Sequence, residues 1–367
     1  MHDTVRETDA ARQNDSAFGF EGRWQEFAPI ALTNLLLTIV TLGVYRFWAI
    51  TRERRYLWSR SRFVDENLEW SGTGMELFVG FLLVLILLGI PFTVIQLITQ
   101  GLIFRQEQLL AGVLLIVFFL AIFYLTGVAR FRALRYRLSR TRWRGIRGGS
   151  DNQGWGFGLS YMWKSVVAWI PLGLLIPWSM TSLWNERWSK MSFGPHAFEA
   201  NASPGPIFVR FLLFYLAPFI IVVAAFVAIL VGGIVGFGIG EETGAGIGAI
   251  FAGFLAIVGV YAILGLIAVA FYAAFYREVV GNTRWGDIDF SFEASTKDWI
   301  RLLLGDVALV LVTFGLGLIF LGYRHWKFFM THMEARGEIV LEELTQSTTA
   351  TAKHGEGLLD AFDIGAI

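Results

Sequence analysis

Residues 42–83 read LGVYRFWAITRERRYLWSRSRFVDENLEWSGTGMELFVGFLL, and residues 172–213 read LGLLIPWSMTSLWNERWSKMSFGPHAFEANASPGPIFVRFLL. At a constant offset of 130 residues, and without a gap, thirteen positions are identical. Two of these positions are tryptophan, with Trp48 matching Trp178 and Trp58 matching Trp188. Because tryptophan is a rare residue, chance explains this agreement poorly. The sequence therefore predicts a duplicated block.

The residues around the repeat are too apolar for a soluble domain. The chain is 55% hydrophobic and 16% charged, with a mean hydropathy of +0.56. Four stretches are long and apolar enough to cross about 30 Å of hydrocarbon as helices. They are residues 77–98, 109–128, 211–235 and 245–276. The sequence predicts an all-α polytopic membrane protein.

Three shorter apolar runs alternate with these two pairs of spans, at residues 28–45, 161–178 and 299–323. Each contains a Leu-Gly pair near its carboxyl end. If the runs cross the membrane, the two blocks are inverted; if they dip in and return, the blocks share one orientation. The positions of the basic residues favour the re-entrant alternative.

Short segments with alternating aromatic and small or polar residues separate the apolar runs. This alternation predicts small β-hairpins at the membrane surface. The five segments are 18–22, 68–70, 155–157, 198–200 and 290–294. A Thr-Arg-Trp motif at 141–143 recurs at 283–285. The predicted organisation is a disordered amino terminus (1–17), two membrane repeats (18–150 and 151–289), a partial third repeat (290–336) and a disordered tail (337–367).

The net charge is zero, but the arginines are concentrated in two places. Residues 46–62 contain six arginines and residues 130–147 contain eight, whereas the loops 99–108 and 236–244 contain one and none. The positive-inside rule predicts that both clusters, and the carboxyl-terminal tail, are cytoplasmic. The clusters serve either as topology signals or as binding sites for anionic lipid head groups. The candidate lipid-binding residues are Arg46, Arg54, Arg55, Arg130, Arg135 and Arg142. Their position beside the spans argues against nucleic-acid binding.

Three polar residues occupy related positions inside the short runs, namely Asn34, Lys164 and Asp306. Ionisable groups at membrane depth are costly and usually functional, so these residues are candidates to line an aqueous path. The alternative is that Lys164 and Arg301 extend to the surface and that Asp306 pairs with Arg301. We expect no enzyme, metal or cofactor, because the chain has no cysteine, its five histidines are scattered, and no nucleotide-binding or nucleophile motif occurs.

Five segments resemble the YjgN family of bacterial inner-membrane proteins. They are FGFEG (18–22), NLLLTIVTLGVYRFW (34–48), RRYLW (54–58), GTGMELFVG (72–80) and GEGLLDAFDIG (355–365). The resemblance implies a multi-pass inner-membrane protein, but that family supplies no known activity. From the repeats and the polar residues we expect a transporter or channel for a small solute or ion. The alternative is a non-transporting membrane organiser that binds anionic lipid or a protein partner.

Overall fold

The computed structural model describes residues 16–239, 243–338 and 344–349, and within these ranges the chain is mostly helical. The strands are β1 (Phe18–Phe20), β2 (Ser61–Phe63), β3 (Glu66–Asn67), β4 (Glu69–Trp70), β5 (Thr141–Trp143), β6 (Ile146–Gly149), β7 (Ser192–Phe193), β8 (His196–Ala200), β9 (Thr283–Trp285), β10 (Ile288–Phe292) and β11 (Met333–Arg336).

The helices are α1 (Trp24–Val40), α2 (Arg46–Ser59), α3 (Gly74–Phe104), α4 (Gln108–Arg140), α5 (Trp155–Trp169), α6 (Ile176–Trp188), α7 (Gly205–Leu212), α8 (Ala217–Ile239), α9 (Thr243–Gly281), α10 (Thr296–Val312) and α11 (Leu321–His332). Short 3-10 turns at Leu213–Leu216 and Leu316–Phe320 precede α8 and α11.

Within each sheet, every strand pairs antiparallel with the strand that follows it along the chain. Strands β4 to β11 form one sheet in chain order, and β1 to β3 form a second, smaller sheet. Each stretch of helices leaves one strand and returns to the strand hydrogen-bonded to it. The strand pairs are β1 with β2, β4 with β5, β6 with β7, β8 with β9, and β10 with β11. In the described residues, the chain therefore makes five helical hairpins, in the order short, long, short, long, short.

This connectivity decides how the short apolar runs fold. The helices α1, α5 and α10 have 17, 15 and 17 residues, so each advances roughly 22–25 Å before the chain reverses. An insert that begins and ends on paired strands returns to the layer from which it started. The short runs are therefore helix–turn–helix inserts, as the re-entrant alternative requires.

The long hairpins contain the helices that can cross a bilayer. By length and composition, four described helices qualify: Gly74–Phe104, Gln108–Arg140, Gly205–Ile234 and Ile250–Gly281. They correspond to the four spans predicted from the sequence. The mostly α-helical membrane architecture with small surface strands is thus confirmed.

The short hairpins reverse at a shared backbone motif. Leu42, Leu172 and Phe314 have φ angles of 50°, 53° and 51°, and the glycine after each has a φ of 92°, 89° and 91°. Two successive left-handed residues end the first helix, and glycine takes the second position because it has no Cβ to clash. In the third hairpin the turn is Phe314–Gly315, so neither Leu-Gly pair near the carboxyl end of that run, 316–317 or 321–322, forms the turn.

The strands enclose an aromatic core. Trp143 and Trp285, from the two Thr-Arg-Trp motifs, lie with ring centroids 6.3 Å apart although β5 and β9 are not adjacent in the sheet. The indole of Trp143 donates to the Phe63 carbonyl, and that of Trp285 donates to the Phe193 carbonyl, each at 2.9 Å. The sheet is therefore curled around these rings, and both buried indoles have acceptors.

Two local predictions differ from the structure. Residues 155–157, predicted as a strand-like arm, are the first turn of α5, which follows Gly154 in the left-handed conformation (φ 80°). Residues 344–349, expected to belong to a disordered tail, lie against the β5–β6 hairpin, where Gln346 accepts from the Arg147 amide at 3.1 Å. Residues 1–15, 339–343 and 350–367 of the predicted disordered termini lie outside the described residues.

The chain divides into two compact units. The first comprises Met1–Ala202, Val279–Glu293 and Gly305–Ile367, and the second comprises Ser203–Glu278 and Ala294–Leu304. The first unit contains all the strands, and the second contains most of the second long hairpin. These units do not follow the predicted repeat boundaries at 150 and 289, because strands from both repeats pair in one sheet.

Candidate functional site

The three polar residues predicted at membrane depth occupy one structural position. Asn34, Lys164 and Asp306 each lie eight residues before the turn residue of their hairpin, which is Leu42, Leu172 or Phe314. Each lies on the first helix of a short hairpin and bonds to a charged side chain on the second helix. We call these three contacts the hairpin locks.

The first lock joins an amide to a carboxylate. Asn34 is 2% exposed, and its Nδ2 donates to Glu53 Oε1 at 3.0 Å and to the Ala49 carbonyl at 3.3 Å. Both acceptors belong to α2. An amide buried this completely requires hydrogen-bond partners, and these bonds hold α1 against α2 at mid-length.

The second lock is a chain of three charges. Lys164 Nζ lies 2.8 Å from Glu186 Oε2, and Lys190 Nζ lies 2.9 Å from Glu186 Oε1. Burial opposes ionisation of Glu186, but the hydrogen bonds from Lys164, Lys190 and Ser160 outweigh it and hold the pKa of that carboxyl below its usual range. Glu186 is therefore a carboxylate at neutral pH.

The third lock centres on a buried aspartate. The side chain of Asp306 is 8% exposed; its Oδ1 lies 2.6 Å from Arg324 Nε and its Oδ2 lies 2.6 Å from His325 Nε2. Arg301 instead lies 3.6 Å from Asp298 on its own helix and is 67% exposed. The alternative prediction of an Asp306–Arg301 pair is therefore wrong.

The locks bear directly on the predicted aqueous path. Among the described residues, each of the three bonds to a partner within its own hairpin. Asn34 bonds to Glu53, and Lys164 bonds to Glu186. Asp306 bonds to Arg324 and His325. The sequence reasoning missed these four partners. A signal was present, since Glu53 and His325 both lie eleven residues after their turn residue, whereas Glu186 lies fourteen after its own.

The candidate lipid-binding arginines fall into two groups. Arg54 and Arg135 are 7% and 1% exposed, and the Arg54 guanidinium lies 5.1 Å from the centre of the Trp70 ring. These two side chains are inside the protein and cannot reach a head group. The candidates that remain exposed are Arg46, Arg55, Arg130 and Arg142.

Arg130 and Arg132 stack on aromatic rings of α5. The Arg130 guanidinium lies 5.0 Å from the centre of the Tyr161 ring, and two residues further along α4 the Arg132 guanidinium lies 4.6 Å from the centre of the Trp155 ring. Aromatic rings of this kind mark the interface between hydrocarbon and head groups. Stacking on a ring leaves the edge of a guanidinium available to a phosphate oxygen.

The turns of the short hairpins expose large apolar side chains almost completely. Leu42 is 94% exposed, Leu172 is 83% exposed and Phe314 is 97% exposed. The outward sides of the same helices also expose large apolar residues, such as Leu36 on α1 and Leu311 on α10. Such surfaces require an apolar environment, so the short hairpins have the surface of inserts into a bilayer leaflet.

Across residues 16–239, 243–338 and 344–349, no group of three or more His, Asp or Glu side chains is arranged to hold a metal ion. The candidate site consists of the hairpin locks, the exposed arginines and the apolar turns.

The chain was compared with known proteins. The sequence profile of a bacterial protein family of unknown function, DUF898, matches residues 15–361. Inner membrane protein YjgN of Salmonella typhimurium is 33% identical over 95 residues, which cover 26% of this chain and 24% of that protein. YjgN of Escherichia coli O157:H7 is 22% identical over 240 residues, which cover 56% of this chain and 58% of that protein.

In both alignments, the chain covers less than two thirds of the relative's own length. No solved structure matches this chain significantly.

Proposed function

Since this chain belongs to the DUF898 family of bacterial proteins of unknown function, we propose its function from its own geometry: it organises one leaflet of the inner membrane. The three short hairpins insert into the cytoplasmic leaflet, and the exposed arginines beside them bind anionic head groups. This role needs no catalytic step.

The observation that carries the proposal is the set of exposed turns at Leu42, Leu172 and Phe314. Helices of roughly 22–25 Å that begin among the head groups and turn back at an apolar tip reach about the bilayer centre and end before the opposite head groups. Each short hairpin thus adds two helices mainly to one leaflet. Unequal filling expands the leaflet on the side of the sheet and favours curved membrane.

The sidedness follows from charge. The arginine clusters at 46–62 and 130–147 lie on α2, β2, the end of α4 and the β5–β6 hairpin, next to the sheet. The positive-inside rule then assigns the sheet to the cytoplasm. Arg46, Arg55, Arg130 and Arg142 are exposed there, and each basic residue near an anionic surface contributes about 1 kcal/mol of attraction.

The hairpin locks make a transporter or channel the weaker hypothesis. A shared path needs polar groups that face one cavity, whereas Asn34, Lys164 and Asp306 bond within three separate hairpins. In this role the locks brace each hairpin so that its apolar tip stays extended in the leaflet.

One reconstitution experiment tests both hypotheses. The protein is reconstituted into vesicles of mixed diameter that contain phosphatidylglycerol, and its density on small and large vesicles is measured by fluorescence. We expect enrichment on small vesicles, and we expect the triple variant Leu42→Ser, Leu172→Ser, Phe314→Ser to lose it. The matched control is the triple variant Leu87→Ser, Val117→Ser, Val222→Ser, which changes three exposed residues of the long hairpins. Because the long hairpins cross both leaflets, we expect this variant to keep the enrichment on small vesicles.

The same vesicles report solute flux. A transporter would show flux that disappears in Asp306→Asn with Lys164→Met and persists in the tip variant. Such flux, together with equal densities on small and large vesicles, would refute the organiser hypothesis.

A further inference from the structure

We propose that the second unit contains a binding site for one anionic phospholipid, with an acyl chain in the groove between α8 and α9 and the phosphate on Arg210. This inference deepens the proposed function, because it names a lipid class and a location for it.

The groove itself is entirely apolar. It has a volume of about 500 Å³ and is lined by residues of α8, α9 and the preceding 3-10 turn, from Leu216 to Val231 on one side and from Ala252 to Ile263 on the other. Small residues line its floor, namely Ala224, Ala228, Ala252, Ala256 and Gly259. An apolar groove on a membrane helix pair takes an apolar occupant, which is either an acyl chain or another helix.

The dimensions of the groove favour one of these occupants. The lining residues Leu216 to Val231 extend over roughly 22 Å, so the space of about 500 Å³ is long and narrow. A single unbranched hydrocarbon chain is long and narrow enough to fit, so we commit to an acyl chain.

Aromatic residues mark where the head group would lie. Phe211 of α7 contacts Phe271 of α9 with ring centroids 5.6 Å apart, which places the neighbouring residues Arg210 and Tyr272 at a similar depth. Tyr272 is 46% exposed. Four residues further along α9, Tyr276 stacks on Trp299 with ring centroids 5.6 Å apart, and both side chains are partly buried. Tyrosine and tryptophan are typical of head-group depth.

Charge identifies the head group. Arg210 is exposed at that depth, and its Nη1 lies 3.4 Å from the Pro206 carbonyl one turn earlier in its own helix. Arg277, by contrast, is partly buried and donates from Nη1 to the Ala294 carbonyl at 2.6 Å. Arg210 is therefore an exposed guanidinium at the depth inferred for the head group, and a guanidinium binds phosphate oxygens by paired N–H donors.

The test measures lipid bound to the full-length protein in detergent by native mass spectrometry. The probes are dioleoyl phosphatidylglycerol and dioleoyl phosphatidylcholine, which share acyl chains and differ in charge. We expect the wild type to retain phosphatidylglycerol in preference to phosphatidylcholine. Arg210→Gln should weaken that retention about fivefold and remove the preference. Ala228→Phe, which fills the groove, should reduce retention of both lipids.

Matched controls are Val222→Phe, on the same helix outside the groove lining, and Arg46→Gln, an exposed arginine elsewhere; both should retain lipid as the wild type does. Wild-type phosphatidylglycerol retention in Ala228→Phe would overturn the proposal. So would a dimer that dissociates only in Ala228→Phe, since a helix of a second copy would then fill the groove. Loss of vesicle sorting in the wild type would overturn the proposed function alone, because the site is tested without a bilayer.

Discussion

Asp306 is the clearest single-residue test of the hairpin locks, because a buried carboxylate holds two cations of the other helix. We expect Asp306→Asn to lower the free energy of unfolding by about 1–3 kcal/mol. This is less than for a fully buried pair, since Arg324 and His325 are one third or more exposed. Thermal or denaturant unfolding in nonionic detergent measures the change.

Two further variants make the Asp306 test specific. Arg324→Gln should destabilise the protein, and the double variant with Asp306→Asn should cost less than the sum of the single changes. Arg301→Gln should change stability by no more than about 0.5 kcal/mol, because its ion pair is exposed. A larger effect of Arg301→Gln than of Arg324→Gln would contradict the assigned lock.

Glu186 predicts a pH dependence of stability. Its pKa in the folded protein lies below the usual value of a glutamate, so the unfolded chain takes up a proton at higher pH than the folded one does. The stabilisation is therefore fully present above about pH 5 and is lost as the pH falls through the folded pKa. Melting temperatures measured from pH 7 to about pH 3.5 should fall more steeply for the wild type than for Glu186→Gln. Parallel curves would show that Glu186 is not held as a carboxylate.

At the scale of elements, the contact between α4 and α5 depends on two glycines. A Cβ at Gly127 would lie 2.7 Å from Tyr161 Cβ and 2.9 Å from Gly158 Cα, so nothing larger than hydrogen fits. Gly127→Ala should therefore destabilise the protein by about 1–3 kcal/mol. Gly112 lies on the same helix, and a Cβ there meets no atom within 4 Å.

The matched variant Gly112→Ala should be neutral or slightly stabilising, because alanine favours helix. Unfolding in the same detergent compares the two variants. Equal effects would mean that the crossing of α4 and α5 tolerates the extra methyl group.

The elements also show which features the sequence predicts. Long apolar runs predicted the spans, and the recurrence of Thr-Arg-Trp predicted equivalent strands, because both signals are local. The strand predicted at 155–157 was wrong because Trp-Gly-Phe alternates as a strand does, while the left-handed Gly154 that starts the helix has no alternation signal. The partners of the locks lie on the second helix of each hairpin, and a shared spacing from the turn residue marks Glu53 and His325 but not Glu186.

At the scale of the molecule, strand pairing provides the information that hydropathy lacks. Residues 28–45 are nearly long enough to cross a bilayer, so length alone left two topologies open. The pairing of β1 with β2, and of β6 with β7, returns each insert to its starting layer. The family match covers residues 15–361, and together with the YjgN relatives it confirms the predicted resemblance.

This topology predicts the labelling of single cysteines, since the chain contains none of its own. With the sheet in the cytoplasm, Asn67→Cys, Arg142→Cys and Ser203→Cys should be protected from a membrane-impermeant maleimide in intact cells and labelled after the membrane is permeabilised. Gln106→Cys, in the turn between α3 and α4, should be labelled in intact cells. All four positions are exposed on the protein, so burial cannot explain protection.

The hairpin tips complete the labelling experiment. Leu42→Cys and Phe314→Cys should resist the impermeant reagent even after permeabilisation, because hydrocarbon surrounds tips that are more than nine-tenths exposed on the protein itself. A membrane-soluble maleimide should label both, which shows that the thiols are reactive. Labelling of Ser203→Cys but not Arg142→Cys in intact cells would instead mean that the chain crosses the membrane between β6 and β7. The second block would then be inverted, and an alternating-access transporter would become the better hypothesis.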